Sequence, residues 1–314
     1  MYKGANIMNT FPKDARVIFT GDSITAQTKY TARVVDYYKR NLADLNVKFF
    51  EGAISGSSLC HAIRFFNDMV LPAKPTHATV YYGINDCGLG WLSNEDKDRM
   101  RVELEKRYEN YKANISTFVD MLLAHNITPI LITPAPYAEF LQVDSSCHKH
   151  GQKLSYEYAE VIRAEAKRRG LELIDLHARM AELYVHEEDY GADRVHPSDL
   201  GQYRIAECIL RAQGQEIGEY RPLPDILADD PDVAEWQKTA YRIGRIYGMY
   251  VCVKPDLYDM PYEEQMDYVS EYVISRGYGS NNVSRDFSTE FVVLKPKEKQ
   301  LFDKIEELNG KFYV

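Results

Sequence analysis

The chain has 314 residues, 45% of them hydrophobic and 27% charged, which is enough to bury a large core as one large or two unequal domains and excludes a disordered or fibrous protein. A formal net charge of -9 with no basic stripe argues against nucleic-acid binding, which draws its affinity from clustered Lys and Arg. No apolar run approaches the roughly 20 residues of a membrane span, residues 1–12 carry no secretory signal pattern, and five cysteines without a C-x-x-C pair suit reduced, packed thiols in a cytoplasmic protein.

Residues 15–20 (ARVIFT) are the first of five short runs rich in β-branched or aromatic residues, the others being 47–51 (VKFFE), 78–82 (ATVYY), 128–133 (TPILIT) and 171–175 (LELID). Such runs fit buried parallel strands. Directly after the first stands Gly21-Asp22-Ser23-Ile24-Thr25. The glycine permits a sharp turn and leaves Ser23 at a strand-to-helix junction, its hydroxyl projecting and its N–H not yet used by a helix. A plain helix N-cap would account for the same serine. After the second strand, in Ile54-Ser55-Gly56-Ser57-Ser58, Gly56 can bring a bare N–H close to a ligand. After the third, in Gly83-Ile84-Asn85-Asp86, Asn85 carries a side-chain NH₂ that can face developing negative charge. Ordinary capping turns explain either loop singly; together they offer two donors to one point. Tyr81 and Tyr82 beside this loop read as core, and Cys87 as pocket wall rather than nucleophile.

Residues 97–126 form the clearest helix pattern, with Tyr108, Tyr111, Ile115, Phe118, Val119 and Leu122 on one face. Thr133-Pro134-Ala135-Pro136-Tyr137, after the fourth strand, is a candidate substrate wall or a rigid loop. Cys147-His148-Lys149-His150 resembles a metal ligand set but lacks an evident third and fourth ligand, so ordinary loop residues are expected there. Helices follow over 156–169, ending at Gly170, and 199–213, ending before Gly214. Between them lies Asp193-Arg194-Val195-His196-Pro197, where a carboxylate three residues from an imidazole can accept from one ring nitrogen and leave the other facing a cavity. Five strands with helical crossovers imply a parallel sheet covered on both faces, with the ligand site at the carboxyl ends of the strands.

Residues 219–231 (EYRPLPDILADDP), with three prolines and four acidic side chains, read as an exposed connection and set a boundary. The expected division is 1–218 for the α/β domain and 219–314 for a mainly helical extension. Its expected elements are helices over 231–249, 261–276 and 297–309, the last carrying Leu301, Ile305 and Leu308 on one face before Gly310, and a short strand at 291–294. Ten of the 24 tyrosines fall in residues 220–314, so this tail is expected to bury an aromatic surface against the first domain or a second copy of the chain.

Taken jointly, Gly21-Asp22-Ser23, Gly56, Asn85 in Gly-x-Asn-Asp and Asp193-x-x-His196-Pro197, each following a separate strand, resemble the SGNH (GDSL) hydrolase family over about residues 15–213. The resemblance implies a flavodoxin-like three-layer α/β/α fold with strand order 2-1-3-4-5. It further implies Ser23 as nucleophile, His196 as base and Asp193 as its acid partner, with the N–H groups of Ser23 and Gly56 and the side chain of Asn85 as oxyanion donors. Glu51 stands before Gly52 where many members have Asn, and Ser57 follows Gly56 where Asp is frequent. Asp22, Asp86 and Tyr137 are expected to touch substrate. The Gly-Asp-Ser-Ile-Thr form resembles the lysophospholipase-like and carbohydrate O-acetylesterase-like branches. The loops after the strands, such as 55–58 and 86–90, are short or polar and favour a small acyl group. The expectation is therefore a serine esterase removing acetyl groups from a small-molecule or oligosaccharide ester, with no metal or organic cofactor. A lysophospholipase, a thioesterase or an acyltransferase would use the same residues. A non-catalytic phosphate-binding module is disfavoured, because no G-x-x-x-x-G-K motif appears and such a module has no need of Asp193 with His196.

Overall fold

The computed structural model describes residues 8–143, 146–182, 187–252, 264 and 294–313. Five parallel strands, Arg16–Gly21 (β1), Lys48–Glu51 (β2), His77–Tyr81 (β3), Thr128–Ile132 (β4) and Glu172–Ile174 (β5), make one sheet in the order β2-β1-β3-β4-β5. Central strands covered on both faces need apolar side chains on both, hence Val17, Ile18 and Phe19 in succession, all fully buried. The register sets Gly21 beside Tyr81 and Phe19 beside Glu51, so the first three strands end together.

The connections are helical: Ser23–Ala26 (α1) and Lys29–Asn41 (α2), then Leu59–Arg64 (α3) and Phe66–Met69 (α4), Lys97–Ala124 (α5), Gly151–Arg169 (α6), Leu176–Glu182 (α7) and Asp199–Ala212 (α8). On α5 the face read from the sequence is the buried one from Tyr111 to Leu122, while Tyr108 is half-buried. Helix α6 starts at Gly151 rather than 156, since the Glu139 carboxylate accepts from the N–H groups of His150 and Gln152 and satisfies a helix start that local sequence leaves bare.

Residues 219–231 differ from the expected open connection. They contain a helix, Leu223–Asp229 (α9), because Leu223 and Ile226 are one turn apart and both buried. Pro231–Cys252 (α10) and Leu294–Lys311 (α11) follow. Leu294 opens α11 instead of ending a strand, and Gly310 lies inside that helix; the helix expected over 261–276 and the rest of the 291–294 strand lie outside the described residues.

These tail helices pack on the edge of the sheet. β2 is an edge strand, and an edge exposes unpaired peptide groups. Here the Asn309 side chain accepts from Phe49 N (2.8 Å) and donates to Phe49 O (2.9 Å), Trp236 Nε1 donates to the same oxygen (3.0 Å), and the Tyr313 hydroxyl donates to Val47 O (2.5 Å). Side chains thus take the place of a sixth strand. Each bond contributes about 1 kcal/mol net, and an orphaned buried partner costs about 1–3 kcal/mol. Glu306, ion-paired with Arg16 and Lys48, adds to the seam, and those two cations bring its carboxyl down to about 2.

Candidate active site

Gly21 is required for room rather than for a turn. Its φ is not positive, but a Cβ there would stand 2.2 Å from Thr25 Oγ1 and 2.9 Å from Tyr81 O. The chain therefore enters α1 at once. Asp22 caps that helix, its carboxylate accepting from Ile24 N at 2.9 Å, and Ser23 is the first helical residue, half-buried.

Three loops are sewn together around it. Ile54 N donates to Gly21 O (3.0 Å), and the Ser57 hydroxyl lies 2.8 Å from Ile54 O and 3.2 Å from Gly21 O. Asn85 Nδ2 donates to Ser57 O (2.9 Å), and Leu59 N donates to Asp86 Oδ1 (3.0 Å). Residues 57 and 59 are thereby clamped from the β3 loop, and Gly56, directly before Ser57, is held at a φ of +76°. One Asn85 amide hydrogen serves Ser57 O; the carboxamide has a second.

Opposite lies the loop between the bridged pair Tyr190 and Pro197. Ser23 Oγ is 2.7 Å from His196 Nε2, and His196 Nδ1 is 2.5 Å from Asp193 Oδ2. The other Asp193 oxygen accepts from the N–H groups of Val195 and His196 at 3.0 and 2.9 Å. Partial burial would raise the Asp193 carboxyl, but the His196 backbone N–H, its ring and the Val195 N–H all donate to the charged form and hold it below its ordinary value.

Arg194 was not singled out from the sequence, yet it anchors this loop. It is buried, sits in the left-handed region at φ +65°, and its guanidinium donates to the carbonyls of Ala138, Glu139, Leu141 and Val143, while Ala138 N donates to Arg194 O (3.0 Å). An arginine at positive φ has no local signature. Only the distant carbonyls explain it.

The three expected substrate contacts make internal hydrogen bonds in the structure. Asp22 and Asp86 are buried and hold loop N–H groups, and the buried Tyr137 hydroxyl accepts from His148 N (3.1 Å). Burial first, with mutual repulsion added for Asp22, pushes each of the two carboxyls up to about 7. An acid raised on folding binds more protons folded than unfolded, so it subtracts stability as pH climbs from the ordinary 3.8 to about 7. Asp86→Asn keeps an acceptor for Leu59 N and removes one titration. The fall in urea midpoint between pH 5 and 8 should be shallower in this variant, and an undiminished fall would contradict the assignment.

His148 Nδ1 meets Ser93 Oγ at 2.9 Å, and among the described residues no group of three His, Cys, Asp or Glu is arranged to hold a metal. An open cavity of about 1020 Å³ beyond β5, walled by Tyr156, Arg163, Asp175 and His177 among others, contains none of the residues converging on Ser23. Its Arg163 donates to both Asp175 oxygens (2.8 and 2.7 Å). No helix among the described residues is long and apolar enough to cross a membrane.

A five-stranded α/β/α sheet with a serine, an imidazole and a carboxylate in line at the strand ends is the architecture of a hydrolase of the SGNH kind. The family model of the GDSL-like lipase/acylhydrolase family matches residues 19–204, and the chain belongs to that family; its class of activity is carboxylic ester hydrolysis. No curated protein matches significantly. Among solved structures, a gut microbial diltiazem-metabolizing enzyme, BT4096, superposes with a TM-score of 0.72 at 15% identity over 98% of this chain and 97% of its own. Axe2, an acetylxylan esterase from Geobacillus stearothermophilus, gives 0.55 at 23% identity over 67% of this chain and 99% of its own. LAE5, an alpha/beta hydrolase enzyme from the metagenome of Lake Arreo, Spain, gives 0.55 at 21% identity over 66% and 99%. At these identities the likeness is one of fold.

Proposed function

We propose that this protein is a serine esterase that removes short acyl groups, acetyl foremost, from a carbohydrate through an acyl-enzyme on Ser23. The observation that carries the reading is the unbroken line Ser23 Oγ, His196 Nε2, His196 Nδ1, Asp193 Oδ2, with contacts of 2.7 and 2.5 Å. His196 Nε2 takes the Ser23 proton as Oγ bonds to the ester carbonyl carbon. The N–H groups of Ser23 and Gly56 and the second Asn85 amide hydrogen donate to the oxyanion. Collapse breaks the bond to the alcohol, which leaves with the proton from His196; a water molecule, deprotonated by the same nitrogen, then releases the acid and restores Ser23. Asp193, held ionised, stabilises the imidazolium formed in each half. The free thiols Cys60, Cys87, Cys147 and Cys208 suit action in a reducing compartment such as the cytoplasm.

The polar loops at 55–58 and 86–90 and the acetylxylan esterase among the structural neighbours support acetyl and sugar. A second reading, a non-carbohydrate small-molecule ester, is favoured by the neighbour whose fold accounts for 98% of this chain, tail included, and which is described as diltiazem-metabolizing. The test is a p-nitrophenyl ester series from acetyl to dodecanoyl beside a panel of acetylated sugars. A fitting apolar channel adds about 0.8 kcal/mol per methylene, so a lipase or lysophospholipase gains several hundred-fold or more from acetyl to octanoyl. Here kcat/KM should peak between acetyl and butyryl and fall by octanoyl. A steady climb to dodecanoyl would replace the substrate assignment with a lipid or thioester one.

A further inference from the structure

The tail does more than close the sheet edge. Helix α10 crosses the back of the nucleophile helix, and Gly244 is where the two meet: a Cβ built on Gly244 would lie 2.9 Å from Ala26 Cβ, 2.9 Å from Ala53 O and 3.6 Å from Ala26 Cα. Ala26 ends α1, three residues after Ser23, with its N–H on Asp22 O (2.9 Å). Ala53 lies three residues before Gly56, with its N–H on Glu51 Oε1 (3.1 Å) and the next N–H on Gly21 O (3.0 Å). One backbone position of the tail therefore touches both the segment that carries Ser23 and the segment that carries a proposed oxyanion donor.

We infer that Gly244 is a positioning residue, which sets the spacing of Ser23 and Gly56 by letting α10 seat directly on Ala26 and Ala53. The inference rests on the reading of Ser23 as nucleophile. Helix α10 is itself pinned. Trp236, fully buried two turns earlier on the same face, donates to Phe49 O at 3.0 Å, Gln237 Nε2 donates to Thr28 Oγ1 at 2.8 Å, and α11 packs along its flank. Ordinary carbon contacts need about 3.5–4.0 Å. An added methyl at Gly244 is thus relieved by moving Ala26 and Ala53 by roughly half an ångström to one ångström, whereas catalytic groups must be held within about 0.5 Å. A displacement near 1 Å is enough to slow an enzyme about 10²-fold.

The experiment compares wild type, Gly244→Ala, the double variant Gly244→Ala/Ala26→Gly and Asn309→Ala on p-nitrophenyl acetate, with melting temperature and the rate of phosphonate labelling of Ser23 as separate readings. Alanine favours a helix interior over glycine, so Gly244→Ala is expected to hold its melting temperature within a few degrees. Its kcat should fall about 10- to 100-fold with KM within about threefold, and labelling should slow in parallel. Removing the Ala26 methyl should recover about tenfold. Asn309→Ala, which damages the same tail at the sheet edge, should lower the melting temperature and leave kcat within about threefold. Gly244→Ala within threefold of the wild-type kcat overturns the inference. So does a double variant as slow as Gly244→Ala or, where Gly244→Ala gives no soluble protein, a double variant equally insoluble. An inactive Ser23→Ala beside an unimpaired Gly244→Ala rejects this inference alone; an active Ser23→Ala rejects the reading beneath it.

Discussion

Ser23→Ala is expected to lower kcat on acetyl esters by about 10⁴- to 10⁶-fold while KM moves only a few-fold. The lost oxygen is the atom that bonds to the acyl group, so no neighbour can substitute for it within the same geometry. Its contact in the resting protein is the His196 ring nitrogen at 2.7 Å. Removing it takes nothing from the core, and the melting temperature should stay within a degree or two. Asp193→Ala should cost less in kcat, because that carboxylate orients and stabilises the imidazole without forming a bond to substrate. The two N–H groups it now receives from Val195 and His196 lie in an exposed stretch and can turn to water. Activity in Ser23→Ala within tenfold of wild type would remove the mechanism, whatever the substrate proves to be.

Asn85→Ala is expected to lower kcat by about 10²- to 10³-fold, the usual range for losing one oxyanion donor. Two effects act in the same direction. The donor disappears from the point where charge develops, and the latch on Ser57 O at 2.9 Å disappears with it, loosening the loop that presents Gly56. KM should change little, since a neutral ester carbonyl gains far less from the donor than the oxyanion does. Asn85→Asp keeps the size of the side chain but places oxygen lone pairs against both Ser57 O and the oxyanion, so it should be no better than alanine. A kcat within threefold of wild type in either variant would exclude Asn85 from the oxyanion site.

The strands were readable to within about a residue, because a buried parallel strand advertises itself as a short continuous apolar run, and 15–20 against Arg16–Gly21 is typical. The four candidate blocks are legible because each is local in sequence, three of them directly after β1, β2 and β3 and the fourth just before α8. What escaped is what depends on distant partners. Arg194 adopts positive φ only because carbonyls about fifty residues upstream receive its guanidinium, and α6 begins early only because Glu139 caps it. The burial of Asp22 and Asp86 and their bonds to Ile24 N and Leu59 N likewise depend on how the loops pack, which the local sequence does not encode. In the tail, Asn309 reads as an unremarkable helix residue before a glycine. Its role follows from the unpaired edge of β2, some 260 residues earlier, which no local pattern encodes.

The central claim is that Ser23 is the residue that becomes acylated, and the most direct measurement is intact-mass analysis and peptide mapping after treatment with a fluorophosphonate. The account predicts a single adduct per chain, located on Ser23, formed in step with loss of esterase activity and absent from Ser23→Ala. It also predicts much slower labelling in His196→Ala, where no base accepts the Ser23 proton. An adduct on another residue that tracks inactivation, or complete inactivation with Ser23 unmodified, would contradict it.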